Sequence, residues 1–113
     1  MAERETWHGV VIPAPSTLAK YGLALSDWKA LLEAQGYTCG VCGRVPASQR
    51  MVIDHQHAAR WRHMPDEKRK TYVRGVCCHT CNHYVLTRYA NAEKHEAAAT
   101  YLRRYAERTG HDA

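Results

Sequence analysis

An α+β fold is predicted for this 113-residue chain, in the order helix, cysteine knuckle, strand, basic loop, strand, knuckle, helix. Three observations predict it. Two CxxC pairs, Cys39-Gly-Val-Cys42 and Cys78-His-Thr-Cys81, bracket the middle of the sequence. Between them, Met51-Val52-Ile53-Asp54 and Thr71-Tyr72-Val73-Arg74-Gly75-Val76 read as two short strands separated by a charged loop. On either side lie segments with apolar residues at helical spacing.

The size, about 12.9 kDa, allows one domain and a small core. There is no Phe, and the large apolar groups are three Trp and seven Tyr, so a covalent or metal staple is expected. Five cysteines, an odd number, argue against a disulfide framework, and Met1–Thr6 lacks the basic-then-apolar pattern of an export signal. No apolar run approaches the roughly 18–20 residues of a membrane span, so no membrane partner is expected and the location is expected to be cytoplasmic.

Two CxxC knuckles can put four thiolates on one structural Zn2+, with Zn–S bonds of about 2.3 Å. The ligand set is Cys39, Cys42, Cys78 and Cys81; Cys77 is the register alternative, disfavoured because it would make a CxxxC. A finger using His79 and His83 fits the spacing poorly, and a dithiol redox motif lacks a βαβ setting. The knuckles stand 35 residues apart, longer than a zinc ribbon allows, so an insert carrying function is expected between them.

Residues 1–22, with Pro13, Pro15 and Gly22, read as an irregular leader packed on a domain of residues 23–113. Ser26 reads as the N-cap of a helix from Asp27 to Gln35, with Trp28, Leu31 and Leu32 on one face and Gly36 as the stop. Residues 56–70 read as a long loop. After the second knuckle a helical stretch is expected, then an amphipathic helix from Ala92 to Arg108 with Asn91 as N-cap and Gly110 as stop. Its stripe of Ala98, Tyr101, Leu102 and Tyr105 is open between core packing and a homodimer contact.

The first strand ends in Ile53-Asp54-His55-Gln56-His57. Strand alternation puts His55 and His57 on one face and Asp54 on the other, although a bulge can bring Asp54 and His55 together. Asn82 follows the last cysteine of the second knuckle. With the hairpin packed on that segment, Asp54 and Asn82 can offer oxygens to a hard cation such as Mg2+, and His55 can accept a proton near neutral pH. Arg60, Arg62, Lys68, Arg69 and Lys70, with Trp61 among them and Arg74 on the return strand, are candidate contacts to a DNA backbone. His83 is open between a phosphate contact and solvent.

Gly36-Tyr-Thr-Cys-Gly-Val-Cys-Gly43, Ile53-Asp-His-Gln-His57 and Arg74-Gly-Val-Cys-Cys-His-Thr-Cys-Asn82 together resemble the recombination endonuclease VII family of bacteriophages, within the HNH or His-Me finger nucleases. The resemblance covers about residues 20–90. It implies a zinc-stapled ββα-metal fold with flanking N- and C-terminal helices and a metal-dependent DNA endonuclease acting on branched or duplex DNA. By the same resemblance Cys39, Cys42, Cys78 and Cys81 match the zinc ligands, and Asp54 and Asn82 match the ligands of a catalytic Mg2+ or Mn2+. His55 matches the general base and His57 a histidine that assists at the phosphate. The resemblance also implies dimers and, for a phage-encoded chain, the host cytoplasm. Gln56 stands where an acidic residue is frequent, and Val85 where some members carry a glutamate. A long C-terminal extension is expected to be lacking, so Holliday-junction specificity is not expected to carry over. The competing expectations are a non-catalytic zinc-stabilised nucleic-acid-binding module and a zinc-stapled protein-interaction domain.

Overall fold

A computed structural model describes residues 5–88 and 90–112. The first four residues of the expected leader, including most of the segment read for an export signal, lie outside the described residues.

The leader is ordered rather than irregular. Thr6–Trp7 (β1) and Val10–Val11 (β2) pair antiparallel, Thr6 with Val11 and Trp7 with Val10. The two linking residues, His8 and Gly9, both have positive φ, +51° and +78°, as a tight hairpin turn with the right-handed strand twist requires. The strain at His8 is offset by its ring, which stacks on Tyr37 at 3.8 Å between centroids. Helix α1, Pro15–Lys20, follows with Pro at its first turn, where a missing N–H costs nothing.

Helix α2 spans Leu25–Ala34 and starts two residues before the expected Asp27. The cap is not Ser26: the backbone N–H of Ala24 donates to the Asp27 carboxylate at 2.8 Å, so the acidic residue three positions on does the capping. Trp28 and Leu32 point inward as expected. With Val10, Leu18, Leu23, Ile53 and Val76 they form the main core, so both leader and hairpin contribute to it.

Strands β3, Val52–His55, and β4, Val73–Cys77, form the antiparallel hairpin between the knuckles. Val52 faces Cys77, Ile53 faces Val76 and Asp54 faces Gly75, but His55 faces Val73. The register therefore slips between Asp54 and His55, leaving Arg74 as the extra residue.

The intervening segment is more regular than the loop expected from its charge. It holds a 3-10 turn at Trp61–His63, a four-residue helix α3 at Asp66–Arg69 behind Pro65, and a further 3-10 turn at Lys70–Tyr72. Apolar and hydrogen-bonded anchors explain the difference. Trp61 is buried, and the Arg69 guanidinium donates to the carbonyls of Met64 (2.9 Å) and Ala19 (3.1 Å) and pairs with Asp66. Gly22, at φ +71°, lies against the Asp66 backbone so closely that a Cβ would collide with it.

Beyond the second knuckle the expected helical stretch is one wide turn at Cys81–Val85. Helix α4, Ala92–Thr109, begins at Asn91, whose side chain accepts from the Lys94 N–H at 2.8 Å, and ends at Gly110 with φ +76°. None of its described residues is buried; Tyr101 is 74% exposed and Leu102 49%, so the stripe does not enter the core. Among the described residues no helix is long and apolar enough to cross a membrane.

Candidate functional site

The knuckles bring their sulfurs together. The thiols of Cys39, Cys42, Cys78 and Cys81 all lie within 4.8 Å of one another, with Cys42 and Cys78 Sγ atoms 3.9 Å apart. A tetrahedron with bonds of about 2.3 Å has sulfur–sulfur edges of about 3.8 Å, so this donor set fits a structural Zn2+. Backbone amides already point at the sulfurs: Val41 N–H donates to Cys39 Sγ and Cys81 N–H to Cys78 Sγ, both at 3.4 Å. Burial by itself raises the Cys39 thiol, but the amides of Cys42, Cys78 and Val41 outweigh it and bring it down to about 6, which favours a thiolate. Cys77 takes no part. It sits on β4 opposite Val52, 3% exposed, and burial pushes its thiol up to about 12, so it is a packed hydrophobe.

One side chain couples this cluster to the hairpin. Gln35, at the end of α2, donates from Nε2 to the carbonyls of Thr38 (2.9 Å) and Val76 (2.7 Å) and accepts the Val76 N–H on Oε1 at 2.9 Å. Gly40 of the first knuckle donates its N–H to the same Val76 carbonyl at 3.0 Å. Both Gly40 and Gly75 crowd this amide, and a Cβ on either would press into it. The sequence reading assigned Gln35 only to a helix end; the glycine inside a strand was the available signal.

The slip in the hairpin decides what alternation left open. Ile53 and Asp54 are both buried, and Asp54 turns toward the second knuckle, where Asn82 Nδ2 donates to its Oδ1 at 3.1 Å. The displaced Arg74 clasps the same carboxylate, Nε to Oδ2 at 2.7 Å and Nη2 to Oδ1 at 3.0 Å. The Asp54 side chain is 4% exposed and that of Arg74 36%. This accounts for three of the carboxylate's roughly four acceptor positions and leaves room for one further electrophile, with the Asn82 amide beside it. The donor set, a carboxylate and a carboxamide, suits a hard divalent cation.

His55 is half-buried. Its ring stacks on Trp61 (4.2 Å, 22° between planes), meets the edge of Tyr21 at 5.5 Å and lies 4.9 Å from His57. Burial, then His57, lowers its pKa below the ordinary 6.5; Asp54 pulls the other way, and Lys20 and Arg74 add to the lowering. The imidazole is therefore neutral at pH 7, the form that accepts a proton. Asp54, His55, His57 and Asn82 line one cleft of about 310 Å3, with His83 and Arg88 on its rim.

The expected DNA contacts divide. Arg60 and Arg62 line a second hollow that shares His55 and His57 with the first. Lys70 borders a groove near α1 and α2 instead. Trp61, Arg69 and Arg74 have internal partners: Trp61 is buried against His55 and donates Nε1–H to the Arg69 carbonyl at 3.2 Å, Arg69 ties the insert to α1, and Arg74 holds Asp54. Arg74 and Asp54 are 20 residues apart and Arg69 and Ala19 are 50 apart, while the closer partners of Trp61 and Arg69 meet them only through the fold of the insert. Tyr21 and Lys20, from α1 and the turn after it, reach the site without a spacing signal to announce them.

A family profile described as recombination endonuclease VII matches residues 15–104, from α1 to the middle of α4. The chain belongs to the recombination endonuclease VII family. The match contains the thiol cluster and the Asp54 cleft together. The Gene 59 protein of Mycobacterium phage D29 is 33% identical over 70 residues, covering 61% of this chain and 36% of that protein. The chain thus spans little more than a third of the phage relative it matches. No solved structure matches.

Proposed function

We propose that this endonuclease VII family chain is a metal-dependent DNA endonuclease of the HNH, or His-Me finger, type, hydrolysing phosphodiester bonds in duplex or branched DNA. The β3–β4 hairpin and the turn at Cys81–Val85 are read as its ββα-metal unit, and the thiol cluster as its structural Zn2+ site. One observation carries the reading: Asp54, His55 and Asn82, 28 residues apart at their extremes, open onto the same cleft.

In that reading His55, held neutral by burial and packed against Trp61 and Tyr21, takes the proton from a water in line with the scissile P–O bond. His57, one ring away, hydrogen-bonds a non-bridging phosphate oxygen. Asp54 and Asn82 would hold the catalytic Mg2+ or Mn2+, which when bound stabilises negative charge on the phosphate and the leaving oxygen. Arg74 keeps the carboxylate aimed before any cation arrives. Phosphodiester hydrolysis needs a base and charge stabilisation on opposite sides of the phosphorus, and the cleft offers both.

The arrangement is tested by plasmid nicking by the zinc-loaded protein with Mg2+ or Mn2+ against no added divalent ion, with His55→Ala beside the parent. The expected result is nicking that needs the divalent ion and falls about 10²–10⁴-fold in the variant, as loss of a general base usually costs. One feature favours the second reading, a non-catalytic zinc-stabilised nucleic-acid-binding module: the Asp54 charge is already balanced by Arg74. Tight DNA binding with no nicking under any divalent ion would select it.

A further inference from the structure

Beside the Asp54 cleft, and sharing His55 and His57 with it, is a hollow of about 320 Å3 lined also by Lys20, Arg60, Trp61, Arg62 and His63. No carboxylate lines it. Among the described residues the ion pairs are Arg69–Asp66 and Arg74–Asp54, so Lys20, Arg60 and Arg62 line one hollow without an acidic partner. Like charges gathered on a folded surface repel, and that repulsion is relieved when an anion settles among them.

The hollow is also built, in the sense that its walls are fixed. Trp61 is buried, stacked on His55 and hydrogen-bonded to the Arg69 carbonyl. Arg69 in turn donates to Ala19, the residue before Lys20, so the cation from α1 is tied to those of the insert. Arg60 is held at φ +59°, a left-handed conformation that costs a non-glycine residue free energy and persists only where surrounding contacts impose it.

The geometry points to a second phosphate subsite: Lys20, Arg60 and Arg62 bind the internucleotide phosphate next to the scissile one on the same strand. The assignment rests on the nuclease reading for the word scissile. His55 and His57 border both depressions, and their ring centroids are 4.9 Å apart. A strand entering the Asp54 cleft therefore has its neighbouring phosphate, one sugar away, at the three cations that lack an acidic partner. The subsite makes the enzyme one for continuous strands, because a bond with no adjacent phosphodiester on that side lacks the contact. Lys20 becomes a binding residue on an element outside the metal-binding unit.

The test uses the zinc-loaded full chain and a short duplex carrying a single methylphosphonate, which removes one phosphate charge. Cleavage is measured at every bond of the modified strand. The subsite predicts that, besides the modified bond, one of its two neighbours is cut about tenfold more slowly than remote bonds, the size expected for a lost charge-assisted contact. In Lys20→Gln/Arg62→Gln, two exposed positions, cutting falls generally and this selective suppression disappears. In a parallel binding measurement on the zinc-loaded chain with no Mg2+ or Mn2+ added, the double variant lowers the slope of log affinity against log salt by about 1, one phosphate's worth. Equal cutting of both neighbours and remote bonds, or suppression that persists in the double variant, overturns the proposal. No cleavage under any divalent ion with the slope still lowered removes the nuclease reading and leaves an anion pocket. Normal cleavage with neither effect removes the pocket and leaves the nuclease.

Discussion

Replacing Arg74 by Met takes away the counter-charge of a carboxylate that is almost wholly enclosed, 4% exposed, while keeping most of the side chain's bulk. Breaking one side of a buried ion pair costs roughly 3–5 kcal/mol, because the other charge stays buried without compensation. Two features reduce that figure here. The Arg74 end is 36% exposed, so water already screens part of the attraction, and Asn82 still donates one hydrogen bond to Asp54 at 3.1 Å. The expected loss is about 2–3 kcal/mol, which for a domain of this size lowers the melting temperature by roughly 8–12 °C. The assay is urea and thermal unfolding of the zinc-loaded protein at pH 7, followed by far-UV circular dichroism. Asp54→Asn/Arg74→Met serves as the companion, since it removes both charges and should recover at least half of the loss. A single Arg74→Met variant within about 0.5 kcal/mol of the parent would refute the view that the clasp holds the site's carboxylate.

The other expectations can be checked separately. Cys78→Ala should lose the zinc and unfold, whereas Cys77→Ala should keep one zinc per chain by metal analysis and lose only packing, about 1 kcal/mol, since only Cys78 belongs to the thiol cluster. Nicking should show an acid limb below pH 6.5: the His55 pKa is lowered, so the base stays neutral until the pH falls past that reduced value, and a limb above 6.5 in the pH–rate profile would contradict it. Gln35→Ala strips three hydrogen bonds from the junction of α2, knuckle and β4, and should cost about 2–3 kcal/mol in denaturant unfolding. Leu102→Ser, on a helix with no buried residue, should leave unfolding within about 0.5 kcal/mol; a larger loss would reveal a partner for the α4 stripe in solution.

Much of the site could be read in the linear chain because its signals are short-range. Cys39/Cys42 and Cys78/Cys81 are pairs whose spacing lets each present two sulfurs to one cluster, and Asn91 and Gly110 bound α4 by local backbone chemistry. What could not be read turns on competition between close neighbours or on how the segments pack together. Asp27 displaced Ser26 as the cap through a choice between two nearby acceptors. The slip between Asp54 and His55 is set by how the two strands meet, and strand alternation carries no trace of it. Trp61 and Arg69 look like surface groups beside so many cations, yet one fills the space behind His55 and the other fastens α3 to α1. The α4 stripe showed the opposite failure: its helical periodicity was correct, but nothing in the pattern says what covers it.

The Gln35 bridge has a bearing on how the protein behaves in a crowd. A two-stranded hairpin leaves bare main-chain groups along its outer margins, and these can recruit a strand from another molecule. At Val76 both groups are already taken, the N–H and carbonyl by a carboxamide that imitates a strand's own pairing pattern. Gly40 closes on the same carbonyl from the knuckle. Losing that one side chain would therefore do more than loosen the domain: it would bare the Val76 N–H on the outer margin of β4 to a strand from another molecule.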